Sequence, residues 1–155
     1  MRLTTGKMTA ALLAVLAFAR LGAPAAAGAS RAAAALPNPV LVLAGTEAYQ
    51  VGGKNFIRYN YLVDNSSAYP DTMFAAAPEL PPCGSNTKSS RTWVDIYEQG
   101  GKRLYGFCAL GKAADLNRLW FGLEEGVTPP SWVYIELNDR ATNTKYKSNL
   151  ADTAL

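Results

Sequence analysis

From Val40 onward the hydrophobic positions recur with a period close to two. Residues 40–44 form a short apolar run, and Ile57, Tyr59, Tyr61 and Val63 then alternate with Arg58, Asn60 and Leu62, which predicts a strand with one buried face. Asp64-Asn65-Ser66-Ser67 supplies the turn residues that end it. Residues 72–75 read as a short edge strand ahead of the loop 78–82, whose prolines cannot donate to a central ladder. Residues 92–97 alternate again, and Gly100-Gly101 joins them to 103–109 as a hairpin.

One stretch breaks the period. Residues 113–119, with Leu116 and Leu119 at i, i+3, predict one or two helical turns, too short for an autonomous helix. A strand over 119–123, a turn at Glu124-Glu125-Gly126, a strand over 132–138, a turn over 140–143 and a last strand over 145–148 follow. In the 132–138 strand Val133, Ile135 and Leu137 share one face, and Trp132, Tyr134 and Glu136 the other. The sum is an all-β sandwich of seven to eight antiparallel strands with one short helical turn, occupying residues 37–150, with 151–155 expected to be a disordered tail.

The stretch 119–148, with Leu123, Gly126, Tyr134-Ile135-Glu136-Leu137 and Tyr146, resembles the last three strands of a fibronectin type III or immunoglobulin-like domain. The resemblance implies that fold and sets Tyr134 against the family's corner tyrosine. It departs from immunoglobulin domains in the close spacing of its cysteines, and from fibronectin type III in having a disulfide and a helical turn after it. Pro81-Pro82-Cys83-Gly84, Arg91-Thr92-Trp93-Val94-Asp95-Ile96-Tyr97 and Tyr105-Gly106-Phe107-Cys108-Ala109-Leu110 also resemble small exported bacterial proteins. Neither resemblance brings a catalytic residue, because such sandwiches host many functions.

The start of the chain follows a different rule. Arg2 and Lys7 precede an apolar run over 8–19, broken only by Thr9, and an Ala-rich stretch of small residues follows. That order predicts a signal peptide over 1–29, cleaved after Ala27 or Ala29, with an Ala-rich disordered linker over 30–36; a site after Ala35 is a third option. The run is shorter than the roughly 20 residues a bilayer span needs, so no permanent membrane anchor is expected. The predicted destination is the periplasm or the exterior.

Removing the leader changes the charge balance. The chain carries 15 basic and 12 acidic residues, a net charge of +3. Arg2, Lys7 and Arg20 belong to the leader, so cleavage after Ala29 leaves 12 basic residues against 12 acidic ones. The remaining cations are scattered, and a phosphate-tracking stripe for nucleic acid is not expected.

An oxidising compartment gives the two cysteines a meaning. Cys83 and Cys108 lie 25 positions apart, and an even count in a small exported domain predicts one disulfide. In the chain-entropy view such a bridge contributes about 3 to 4 kcal/mol. There is no C-x-x-C motif to favour a redox thiol.

Candidate chemistry is sparse. The chain has no histidine, which removes imidazole bases, Ser-His and Cys-His nucleophiles and His metal ligands. Ser85-Asn86-Thr87-Lys88 matches S-x-x-K, but it sits in a polar loop without the companion S-D-N and K-T-G motifs, so chance is the better explanation. Glu124-Glu125 are neighbours in a turn, where side chains diverge, and nothing in the sequence pairs Asp95, Glu136 or Asp139 for glycoside hydrolysis. Asp64-Asn65-Ser66 and Asn138-Asp139 lack the spacing of a calcium loop. Asn65-Ser66-Ser67 is a formal glycosylation sequon, expected to be unused. No cofactor and no metal is expected.

Aromatic residues are the enrichment that survives. Of the 16 Trp, Tyr and Phe residues only Phe18 precedes Pro37. If Val94, Ile96, Val133 and Ile135 fill the core, alternation sends Trp93, Tyr97, Trp132 and Tyr134 outward, and with Trp120 these form the candidate binding face. The reading from sequence is a monomeric, non-enzymatic binding or interaction module for an unknown protein or glycan. The alternatives are an inhibitor or accessory protein that docks an envelope enzyme through the 83–90 loop, and, behind it, a small hydrolase.

Overall fold

The computed structural model describes residues 35–82 and 89–154. Among them are eight strands: β1 (Leu41–Val51), β2 (Lys54–Val63), β3 (Thr92–Glu98), β4 (Arg103–Phe107), β5 (Leu119–Glu124), β6 (Trp132–Asp139), β7 (Thr144–Lys147) and β8 (Ala151–Asp152). Every pairing is antiparallel. One sheet runs β1-β2-β5 and the other β4-β3-β6-β7, with β8 pairing the start of β6. The fold is an all-β sandwich.

The two inner faces make the core, as the alternation requires. Tyr59, Tyr61 and Val63 of β2 and Leu119 and Phe121 of β5 meet Val94 and Ile96 of β3 and Val133, Ile135 and Leu137 of β6. Burying each large apolar side chain contributes about 1.5–3 kcal/mol. The 3-10 helix Ala113–Arg118 adds Ala113 and Leu116 to that core, at the place where the sequence predicts a helical turn.

Four segments differ from the sequence reading. Residues 72–75 are not an edge strand: Asp71–Phe74 is a 3-10 helix. Met73 and Phe74 are consecutive and both buried, which a strand facing one core cannot achieve. Residues 45–56, unassigned from sequence, extend β1 and β2 into a long hairpin whose turn, Gly52-Gly53, has φ of 58° and 78°. Two consecutive positive φ values define a type I′ turn, which glycine adopts without strain. A bulge between Leu43 and Gly45 shifts the register and hides the alternation there.

The expected C-terminal tail is also ordered. Ala151 is buried, β8 pairs with Trp132 and Val133, and the Tyr61 hydroxyl donates to the Asp152 carbonyl at 3.1 Å. Asn149 ties this segment to the other sheet: its Oδ1 accepts from the Leu41 N–H at 2.7 Å and its Nδ2 donates to the Leu41 carbonyl at 3.0 Å. At the other end of the chain Leu36, assigned from sequence to the linker, packs against the core. The predicted leader lies outside the described residues. Among those described, no helix is long and apolar enough to cross a membrane.

Candidate functional site

Alternation from the buried Val94, Ile96, Val133, Ile135 and Leu137 fixes what the outer face of the four-stranded sheet displays. Register then arranges it in rows: Tyr97 beside Tyr134, Asp95 beside Glu136, and Trp93 beside Asn138. The Tyr97 and Tyr134 rings stack at 5.3 Å with an interplanar angle of 16°. Lys147 Nζ lies 3.9 Å from the Tyr134 centroid. Trp132, two residues before Tyr134 on the same face, is 39% exposed, the most open aromatic of this row.

The middle row is charged and internally neutral. Asp95 accepts from Arg103 Nε at 2.6 Å, and Glu136 from Lys145 Nζ at 3.4 Å. The Arg103–Asp95 pair lies across Gly106, where a Cβ would collide with Arg103 Nη2. Sequence alone gave Asp95 and Glu136 no partner; the register makes them cross-strand neighbours, each held by a cation. Burial first, then the Asp95 and Glu136 charges, push the Tyr97 phenol up.

The third row is capped. The Arg140 guanidinium sits 3.9 Å from the Trp93 centroid, and its Nη2 donates to the Pro81 carbonyl at 3.0 Å. Trp93 Nε1, Asn138 Oδ1 and Arg140 Nη1 are covered and find no hydrogen-bond partner among the described residues.

The outer face of the three-stranded sheet carries a second array that sequence reasoning missed. Arg58 lies between two rings, 4.8 Å from the Tyr49 centroid and 4.6 Å from that of Trp120, and its Nη1 donates to Glu47 at 2.8 Å. Tyr49 stacks on Phe56 at 5.4 Å and reaches across β2 to Gly122, where a Cβ would collide with its hydroxyl. Trp120 packs in turn on Tyr105 at 4.7 Å, from β4 of the other sheet. Glu47-x-Tyr49 and Phe56-x-Arg58 on either side of Gly52-Gly53 are the sequence signal for it.

The five candidate aromatics therefore divide. Trp132, Tyr134 and Tyr97 adjoin; Trp93 stands beyond the charged row; Trp120 belongs to the other sheet. Tyr134, which the resemblance sets at a corner, is 8% exposed and stacks on Tyr97, while its neighbour Val133 points into the core.

The remaining motifs find structural roles. Glu124 pairs with Lys54, and Asn55 Nδ2 donates to Glu125. Asn65 Oδ1 accepts from the Val40 N–H and its Nδ2 donates to the Asn38 carbonyl, so the sequon side chain is engaged. Among the described residues no group of three or more carboxylate or sulfur ligands could hold a metal. Ser85, Lys88 and Cys83 lie outside the described residues, and Cys108 is not a free thiol. Compared with protein-family models, curated proteins and solved structures, the chain matches none of them.

Proposed function

We propose that this chain is an exported, non-enzymatic β-sandwich module that binds a glycan on the outer face of the β4-β3-β6-β7 sheet. The observation that carries it is the exposed ring of Trp132, at the end of a row in which Tyr97 stacks on the nearly buried Tyr134, with the ion-paired carboxylates of Asp95 and Glu136 beyond. Aromatic faces offer stacking surface to the apolar face of a sugar ring, and flanking carboxylates accept its hydroxyl hydrogens. Trp132, open at the end of the row, is the contact residue.

The test is a tryptophan-fluorescence titration against soluble cello-, chito- and xylo-oligosaccharides. Binding should be weakened roughly tenfold or more by Trp132→Ala, as loss of one stacking contact of about 1.5 kcal/mol requires, and left intact by Trp120→Ala on the other sheet. Equal affinities for wild type and Trp132→Ala would refute the assignment.

Export, the disulfide and the domain type belong to the same proposal. The leader supports export, and the engaged Cys108 supports a bridge to Cys83. Intact mass of the secreted protein should be lower by two hydrogens than that of the reduced form, with an N-terminus at Gly28 or Ser30. A fibronectin type III-like domain is supported by strand order: the first, second and fifth strands share one sheet, and the fourth, third, sixth and seventh the other, equivalent to A-B-E and C′-C-F-G.

A further inference from the structure

Among the described residues, nothing pairs with one edge of the distal half of the β1-β2 hairpin. In a two-residue hairpin the residues flanking the turn, here Val51 and Lys54, exchange hydrogen bonds, so Gln50, Ala48 and Thr46 direct their N–H and C=O groups away from β2. Leu41, further back on the same edge, is paired by Asn149, but among the described residues no strand pairs with residues 46–51 on that side. The segment carries neither lysine nor proline, and its one charge, Glu47, points to the other face, where it pairs with Arg58. Natural edges are usually blunted by such residues, and this one is not.

We propose that this edge pairs with the same edge of a second copy, forming an antiparallel β1-β1 dimer across a two-fold axis at Ala48. The axis sets Ala48 opposite Ala48 and Thr46 opposite Gln50, all small or uncharged, and Glu47 opposite Tyr49, so no like charges meet. Thr46, Ala48 and Gln50 are exposed and short enough for two backbones to close. Beside them a groove of about 420 Å³, lined by Ala48, Gln50, Asn55, Ile57 and Glu125 among others, leaves room for side chains of the incoming strand. This pairing is independent of the aromatic row and replaces the monomer expected from sequence.

Sedimentation equilibrium of the purified protein over the micromolar to millimolar range tests it. A reversible rise to twice the protomer mass is expected, abolished in Thr46→Lys/Gln50→Lys, whose exposed substitutions put like charges across the axis, and in Ala48→Pro. Circular dichroism melts identify any variant that has lost its fold. In an antiparallel hydrogen-bonded pair the Cα atoms lie about 5.5 Å apart, within disulfide reach, so Ala48→Cys should crosslink on oxidation and Lys54→Cys should not. A monomer at every concentration, or a dimer indifferent to the lysine pair, or equal crosslinking from positions 48 and 54, would overturn the proposal.

Discussion

Arg91 and Asp139 show how one charge is made safe near the core. The Asp139 carboxylate is 4% exposed and receives Arg91 Nε at 2.7 Å and Nη2 at 2.5 Å, with the Ala141 N–H adding a third bond at 3.1 Å. Burial alone would raise its pKa; the hydrogen bonds from Arg91, Thr142 and Ala141 and the Arg91 charge outweigh it and hold the carboxyl below its ordinary value. Asp139→Asn should cost about 2 kcal/mol, because it leaves the guanidinium short of a charged acceptor, and urea denaturation would read the loss as a lower midpoint with an unchanged slope. Gly122 exerts the opposite kind of control, through absence. The Tyr49 hydroxyl occupies the place of a Cβ there, and Arg58 is held between that ring and Trp120. Gly122→Ala should displace Tyr49 and cost about 1 kcal/mol, with a changed near-ultraviolet dichroism from Trp120; a variant with wild-type stability and spectrum would show that the clamp does not depend on this close approach.

Between elements, the sandwich is closed at one side by β8 and Asn149, whose amide imitates a strand by pairing with both backbone groups of Leu41. Asn149→Ala removes these bonds and a further one to the Leu150 carbonyl. It should cost about 1–2 kcal/mol and speed hydrogen exchange at the Leu41 amide, while amides in the centre of β3 keep their protection. Nothing in the composition of residues 149–155 announces this role, since a two-residue strand has no period to detect. The same limit explains the other differences. The inner faces of β3 and β6 were legible because Val94, Ile96, Val133, Ile135 and Leu137 keep strict alternation, and their buried positions fix which aromatics emerge. The 3-10 helix at Asp71–Phe74 was not, because four residues carry too little pattern to separate helix from strand. Of the candidate binding residues, alternation placed Trp93, Tyr97, Trp132 and Tyr134 on one outer face, but it could not say that Trp120 belongs to the other sheet. That depends on β5 pairing with β2, a contact between distant parts of the chain.

For the whole molecule, the absence of histidine sets the shape of the pH response. The chain has no imidazole, the side chain whose ordinary pKa of about 6.5 falls in the neutral range, so stability should be flat between about pH 5 and 8. At the acid end Asp139 dominates: its folded pKa is depressed, so its contribution is complete above the unfolded value of about 3.9 and is lost as pH falls through the folded one. At the alkaline end the signs reverse. Tyr61 and Tyr69 are buried, and burial first, with neighbouring groups second, pushes Tyr69 up to about 12 and Tyr61 higher still. Each phenol donates a hydrogen bond, to Asp152 and Pro37 respectively. A raised folded pKa means a contribution that is complete below the unfolded value of about 10 and is lost as pH rises beyond it, because the unfolded chain ionises first. Melting temperature should therefore be level through neutral pH and fall steeply above pH 10, with Tyr69→Phe, which cannot ionise, showing a shallower alkaline fall from a lower plateau. Spectrophotometric titration at 295 nm gives an independent readout: Tyr61 and Tyr69 should ionise only as the fold is lost. A smooth titration of all eight tyrosines near pH 10 with the fold intact would contradict the burial of Tyr61 and Tyr69 and, with it, the packing that joins the C-terminal strand and residue 37 to the sandwich.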